Sequence, residues 1–281
     1  MYGIKFLNMV KKAFPCLSSP SSFYSTSPSS SDSPIQALFD LTVSTFTPST
    51  SPTSPQSIQK LSSVLDNIVP ADVGLQEESE EDDRGHGFFG FNQLNRVARW
   101  AQPLTYIDIH ESDSFTMCIF CFPTSSVIPL HDHPGMTVLS KVLYGTMHVK
   151  AYDWVEPAFV RRNLGPNHSE VRLAKLSVDK VLTAPCETSV LYPNSGGNVH
   201  CFTAVTPCAV IDILAPPYNE VAGRKCSYYR DHPYSTSSFG KSIKQIEGKE
   251  DEYAWLETIG TPDDLYMRHG EYKGPDIVVH G

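Results

Sequence analysis

Pro129-Leu130-His131-Asp132-His133-Pro134-Gly135-Met136, together with the later segment Pro193-Asn194-Ser195-Gly196-Gly197-Asn198-Val199-His200, decides how this chain folds. On a β-strand successive side chains point to opposite faces, so His131 and His133 share one face, along with Val127 and Pro129. Two imidazoles on one strand face make half a metal site. His200 supplies a third ligand, because it lies on another apolar strand, after paired glycines that permit close backbone approach. The expectation is a three-histidine metal centre inside a β-barrel.

Outward from these segments the chain reads as a succession of short strands: Thr105 to His110, Phe115 to Phe122, Val127 to His133, Val138 to Trp154, Val171 to Val181, Ser189 to Tyr192, Asn198 to Val205 and Ala209 to Leu214. Gly, Pro, Asn and Asp turns separate them, and no helical stretches alternate with them. That pattern predicts an all-β sandwich or jelly-roll barrel and argues against a parallel α/β sheet. Ser54-Pro55 predicts an N-cap followed by Pro at the first helical position. Ile58, Leu61, Leu65 and Ile68 then recur at helical intervals until Pro70 ends the run. This gives a peripheral amphipathic helix. A second short helix or turn is expected over Gln93 to Trp100, and a short helical stretch near Glu252 to Glu257 within an otherwise irregular C-terminal tail. The acidic run Glu77 to Asp83 reads as a solvated loop.

Residues 1–54 are rich in Ser, Pro and Thr, with no acid before Asp32 and no Arg before Arg84. Such a composition predicts a disordered tail, with residues 55–281 as a single domain. Ile4, Leu7 and Val10 at helical spacing raise an organelle transit peptide as the alternative, which the lack of Arg and the presence of Asp32 and Asp40 oppose.

With 281 residues, 40% hydrophobic, the chain can bury a full core in one large domain. A formal charge of −9 and the absence of a basic stripe argue against nucleic acid as a direct partner. No apolar run approaches the roughly 20 residues that span a bilayer, so no membrane is expected. The seven cysteines are an odd set lying mostly in apolar strands, which suits a reducing compartment. Cys118 and Cys121 have C-x-x-C spacing, yet they lack the second pair of a zinc ribbon and read as core residues.

Most histidines here have ordinary readings. His148 alternates with the apolar Met147, Val149 and Ala151 and so faces solvent, while His110, His168 and His232 sit in loop-like or strand-end surroundings. His131 and His133 differ, because two imidazoles on one face of an apolar strand carry a desolvation cost that a shared metal removes.

The histidine spacing resembles the cupin superfamily. Its first motif, H-x-H followed by Glu and then Gly, is matched by His131, His133 and Gly145, with Val138 where the Glu stands; its second is matched by Pro193, Gly197 and His200. Three neutral ligands leave the metal's charge uncompensated, which favours an anionic incoming ligand such as a thiolate, and leave about three octahedral positions open. Within the cupins, the run Ile128 to Lys141, the following Leu143-Tyr144-Gly145-Thr146-Met147-His148-Val149-Lys150, and Ala215-Pro216-Pro217-Tyr218 resemble the plant cysteine oxidases, over about Ser57 to Tyr229. The resemblance implies a cupin-type double-stranded β-helix with a few peripheral helices. It also implies an Fe(2+) dioxygenase that adds both atoms of O2 to the N-terminal cysteine of proteins, giving cysteine sulfinic acid. The oxidised terminus would feed arginylation and proteasomal degradation, making the enzyme an oxygen sensor. Its implied partners are ethylene-response-type transcription factors in cytoplasm and nucleus, met as a monomer.

By motif position the resemblance carries His131, His133 and His200 over as iron ligands, and Asp212 and Tyr218 as functional neighbours. Asp212 interrupts the apolar run Val210 to Leu214, where an ionised carboxylate needs a partner. A hairpin from Asn198–Val205 into Ala209–Leu214 would set it opposite His200 or one position away, with Cβ atoms about 5 Å apart if both point inward. A dioxygenase for a small aminothiol stays open as an alternative; for free cysteine it would need an Arg beside the metal, from Arg161, Arg162 or Arg224. A non-catalytic cupin binding module is the other.

Overall fold

The computed structural model describes residues 33–46, 53–75, 103–162, 169–235 and 248–279. Among the described residues two helices, α1 (Pro34–Phe46) and α2 (Pro55–Leu65), precede the strands. These are β1 (Leu104–Glu111), β2 (Thr116–Phe122), β3 (Val127–Asp132), β4 (Thr137–Tyr144), β5 (Thr146–Trp154), β6 (Val160–Arg162), β7 (Glu170–Thr183), β8 (Ser189–Leu191), β9 (Val199–Ala204), β10 (Cys208–Ala215), β11 (Tyr228–Pro233), β12 (Tyr253–Ile259) and β13 (Met267–Gly270). One sheet runs β13-β1-β2-β10-β4-β8, and the other β12-β11-β3-β9-β5-β7-β6. The chain is thus all-β, a cupin-type double-stranded β-helix with peripheral helices.

The stretch Val138 to Trp154, expected as one strand, is two. Gly145 breaks it with φ +78, and a Cβ there would lie 2.1 Å from the carbonyl oxygen of Pro207, so only glycine makes this turn. Between the sheets lies a core containing Phe120, Ile128, Val142, Met147, Phe202 and Val210. A second apolar layer, with Ile119, Leu139, Ile211 and Ile213, covers the outer face of the first sheet against the helices. β10 is therefore buried on both faces along its whole length, which explains why its sequence is apolar on both faces except at Asp212. Cys118 and Cys121, three residues apart on β2, point into different layers and act as packing residues.

Helix α2 begins as its sequence predicts, with Ser57 N–H donating to Oγ of Ser54 at 3.1 Å and Pro55 in the first turn. It ends at Leu65, and Ile68 is buried just beyond it. Its terminal carbonyls are met from the barrel. Lys141 on β4 sends a buried ammonium to the carbonyls of Leu65 at 3.1 Å and Ile68 at 2.8 Å, and to that of Asp66.

Two further expectations need correction here. Residues 34–46, assigned above to a disordered tail, form α1, with Ile35, Leu38, Phe39 and Thr42 buried against the first sheet. Their i, i+3, i+4, i+7 spacing is the helical signal, hidden in a Ser/Pro-rich average. Gln36 clasps the C-terminal segment: its Nε2 donates to the Val278 carbonyl at 3.0 Å, and Val278 N–H donates to its Oε1 at 2.8 Å. The second correction is Glu252 to Glu257, where a single 3-10 turn (Glu250–Glu252) leads into β12. Tyr253 and Trp255 enter one cluster and Ala254 and Leu256 another. Burial on both faces removes the alternation that marks a strand. β12 pairs with both β11 and β7, so the second sheet curls closed.

Residues 1–32, the acidic run Glu77 to Asp83, Gln93 to Trp100 and His168 lie outside the described residues. Among the described residues, no helix is long and apolar enough to cross a membrane.

Candidate metal centre

His131 and His133 do project to one side, but not with Val127 and Pro129. The register of β3 against β9 shifts between Ile128 and His131, so Ile128 is the strand residue that shares the barrel interior with the histidines, while Val127 is 42% exposed. Proline, lacking a donor, is suited to such an irregularity. The shift has a chemical consequence: the Pro129 carbonyl lies 2.8 Å from Nδ1 of His131. As a carbonyl only accepts, Nδ1 carries the proton and the Nε2 lone pair is free for a ligand.

His133 follows the end of β3 and is held on both backbone sides. Its N–H donates to Oδ1 of Asn198 at 3.1 Å, and Asn198 Nδ2 donates back to its carbonyl at 2.9 Å. Its Nδ1 lies 2.8 Å from Oη of Tyr218, whose hydroxyl donates to the Asp132 carbonyl at 2.8 Å. The hydroxyl proton being used there, Nδ1–H of His133 donates to Oη, and Nε2 is again the free atom. That Nε2 is buried and has no hydrogen-bond partner.

His200 stands directly opposite His131 in the β3–β9 register. The Phe202 ring stacks on it at 4.6 Å. Gly197 has φ +86, and a Cβ there would lie 2.5 Å from that of Ala151, so glycine lets the turn nest on β5.

The three rings, each at most 5% exposed, have centroids 4.7 to 4.9 Å apart and ligand atoms within 4.8 Å of one another. Burial lowers the pKa of His131 to about 4. Burial and mutual repulsion hold His133 and His200 well below the usual imidazole range. All three are neutral near pH 7. Three fixed neutral donors and an orphaned buried nitrogen are what a divalent metal would satisfy.

Asp212 reaches the same pocket by a different route from the expected hairpin. β9 belongs to the second sheet and β10 to the first, so the Thr206-Pro207 turn crosses between sheets. Asp212 lies opposite Cys118 and Ser140, not opposite His200. It lines the pocket wall that faces the histidines. Burial raises its pKa to about 7, against a hydrogen bond from Ser140, and its Oδ1 has no partner.

Two supporting residues escaped the sequence reading. Asn198 is one, and Asp132 the other, its carboxylate accepting from Ser227 N–H and the Tyr229 hydroxyl, both at 2.8 Å. An acid between two histidines in an apolar strand was the available signal. Among the described residues no Lys or Arg lines the pocket. Arg161 packs over Trp255, and Arg224 Nε donates to the Pro217 carbonyl at 2.9 Å.

A family model described as PCO_ADO matches residues 64–277. The chain is 45% identical over 248 residues to Plant cysteine oxidase 2 of Arabidopsis thaliana, covering 87% of this chain and 83% of that protein. It is 45% identical over 227 residues to Plant cysteine oxidase 1 of the same organism, covering 80% and 73%. Against 2-aminoethanethiol dioxygenase of Mus musculus it is 31% identical over 188 residues, covering 63% and 72%. A match spanning the barrel and all three histidines, shared with relatives over most of their length, means that the chain belongs to the PCO_ADO family, alongside the plant cysteine oxidases.

Proposed function

We propose that this protein is a thiol dioxygenase that oxidises the N-terminal cysteine of proteins to cysteine sulfinic acid with O2. The observation that carries this reading is the buried trio His131, His133 and His200, without a carboxylate ligand, facing a pocket whose lining has no Lys or Arg among the described residues. His131, His133 and His200 would hold the metal, and Fe(2+) is the metal proposed. Bound there, it would supply a redox-active dipositive centre for a thiolate and O2.

The chain's own residues account for the rest. Thiol plus O2 gives sulfinate and one proton, so no external reductant enters the balance. Tyr218 fixes the His133 tautomer. Asp212, with a free buried oxygen and a pKa near 7, is placed to accept a proton or a hydrogen bond from a substrate amine. Phe120, Ile128, Phe202 and Leu214 make the walls apolar and limit water. A free-cysteine carboxylate would find no cation there, whereas a peptide bond needs none. The same absence suits 2-aminoethanethiol, the second reading, which the mouse relative's name also favours. Because O2 is a co-substrate, turnover follows oxygen supply. We place the enzyme as an oxygen sensor in the N-degron pathway, acting as a monomer on ethylene-response-type transcription factors in cytoplasm and nucleus.

The deciding experiment incubates Fe(2+)-loaded protein with a Cys-initiating peptide, free cysteine and 2-aminoethanethiol in turn. A mass gain of two oxygens on the peptide, at higher kcat/KM than on either small thiol, is expected. Oxidation of 2-aminoethanethiol alone would select the second reading, and oxidation of none would leave a binding module.

A further inference from the structure

The rim of the pocket carries a charge that the chemistry above does not use. Glu111 ends β1 opposite Thr116 of β2, and Thr116 lies opposite Leu214 of β10. All three line the pocket. Two residues further along β2 and β10, Cys118 and Asp212 form the next inward row. The wall of the first sheet therefore descends from an exposed acid, Glu111, to a buried one, Asp212. Among the described residues these are the only acids in the lining. Asp113, two residues on in sequence, is not part of the lining. Beyond the lining residues Pro217 and Tyr218, the nearest cations in sequence are Arg224, engaged with the Pro217 carbonyl, and Lys225, and neither lines the pocket.

We infer that Glu111 is a specificity-determining residue that reads the charge of the substrate just behind its N-terminal cysteine, favouring a cationic side chain and disfavouring an acidic one. The inference rests on the function proposed above. With the cysteine at the histidines, an extended peptide advances about 3.3 Å per residue, the same pace as the strands beside it. The two-residue step from the Asp212 row to the Glu111 row thus brings the second or third substrate residue to the rim. A solvent-exposed pair of this kind changes affinity about two- to five-fold and weakens with salt. The chain's net charge of −9 acts in the same direction on encounter.

The test compares two peptides that differ only in a third residue, Cys-Gly-Lys and Cys-Gly-Glu, each continued by the same neutral sequence, on the Fe(2+)-loaded full chain. The wild type should prefer the Lys peptide by about two- to five-fold in kcat/KM, mostly through KM, with the ratio shrinking at high salt. Glu111→Gln should bring the ratio close to one, and Glu111→Lys should invert it. An unchanged ratio in Glu111→Gln overturns the assignment. So does a wild-type preference for the Glu peptide, which would move the role to Arg224. Oxidation of neither peptide overturns the functional reading beneath it, a different failure from equal oxidation of both, which overturns the role of Glu111 alone.

Discussion

Tyr218 and His133 are joined by a 2.8 Å contact between Oη and Nδ1, and because the same hydroxyl is spent on the Asp132 carbonyl, it receives the imidazole proton. Tyr218→Phe removes that acceptor and frees the ring to rotate or change tautomer. Partners of this kind contribute about 10- to 100-fold in metal affinity or activity. The expected result is weaker iron binding and lower turnover on that scale, with an unchanged circular-dichroism spectrum. Wild-type iron affinity in this variant would show that Tyr218 does not orient the ligand.

Asp212 gives a prediction with a definite pH sign. Its pKa is raised from 3.8 to about 7 by burial, so the folded protein holds a proton that the unfolded chain has released. The contribution of Asp212 to the stability of the metal-free protein is therefore fully present below about pH 4, falls as pH rises to about 7 and is flat beyond, while the three buried histidines act with the opposite sign as pH falls below about 6.5. Asp212→Asn removes this dependence and should gain up to a few kcal/mol at pH 8, read by denaturant unfolding against pH. In the iron-loaded protein the same variant should keep its metal yet lose at least tenfold in turnover with a Cys-initiating peptide. Near-normal turnover would leave Asp212 as a structural residue.

The three histidines were legible because alternation along a strand depends only on local geometry, and because buried imidazoles need a reason to be there. What surrounds them was less so. The Pro129 irregularity replaces Val127 by Ile128 on the inner face, a shift created by pairing with β9 and invisible in β3 alone. Asp212 was recognisable as anomalous, but not its route, since a short turn between apolar strands serves equally for a hairpin or a crossing between sheets. α1 and β12 were misread for one reason. Their burial comes from partners far along the chain, the first sheet and Val278 for α1, β7 and β11 for β12, and local composition does not report it.

Lys141 joins the barrel to α2, and its removal should cost stability without touching chemistry. Lys141→Met keeps the length of the side chain but strips the carbonyls of Leu65, Asp66 and Ile68 of their shared donor. Leaving buried acceptors unpaired costs about 1–3 kcal/mol. A drop in unfolding free energy of that size is expected, with KM for peptide unchanged in the remaining folded protein. An unaltered denaturation midpoint would mean that water replaces the ammonium.

Truncation from the N-terminus separates α1 from what precedes it. Removing residues 1–32 takes away no part of the described core, so stability and turnover should stay near wild type. Removing residues 1–52 also deletes α1, and with it Ile35 and Leu38, both 0% exposed, and Phe39 at 2%. Each such side chain contributes about 1.5–3 kcal/mol of burial, partly offset by the entropy of ordering the helix. Its loss also uncovers apolar residues on the outer face of the first sheet, including Ile119 and Leu139, and breaks the clasp between Gln36 and Val278. The longer deletion should therefore lower the melting temperature by about 5–10 °C, on the scale of about 2–4 °C per kcal/mol for a domain of this size, and promote aggregation. Leu38→Ala in the full chain should act in the same direction, lowering the unfolding free energy by about 2–5 kcal/mol. The catalytic pocket lies on the far side of the sheet, so kcat on a Cys-initiating peptide should hold in both deletions at a temperature where they are folded. Equal melting temperatures for the two deletions would show that α1 adds nothing to the barrel, and a collapse of turnover in the shorter one would show that residues 1–32 take part in the site.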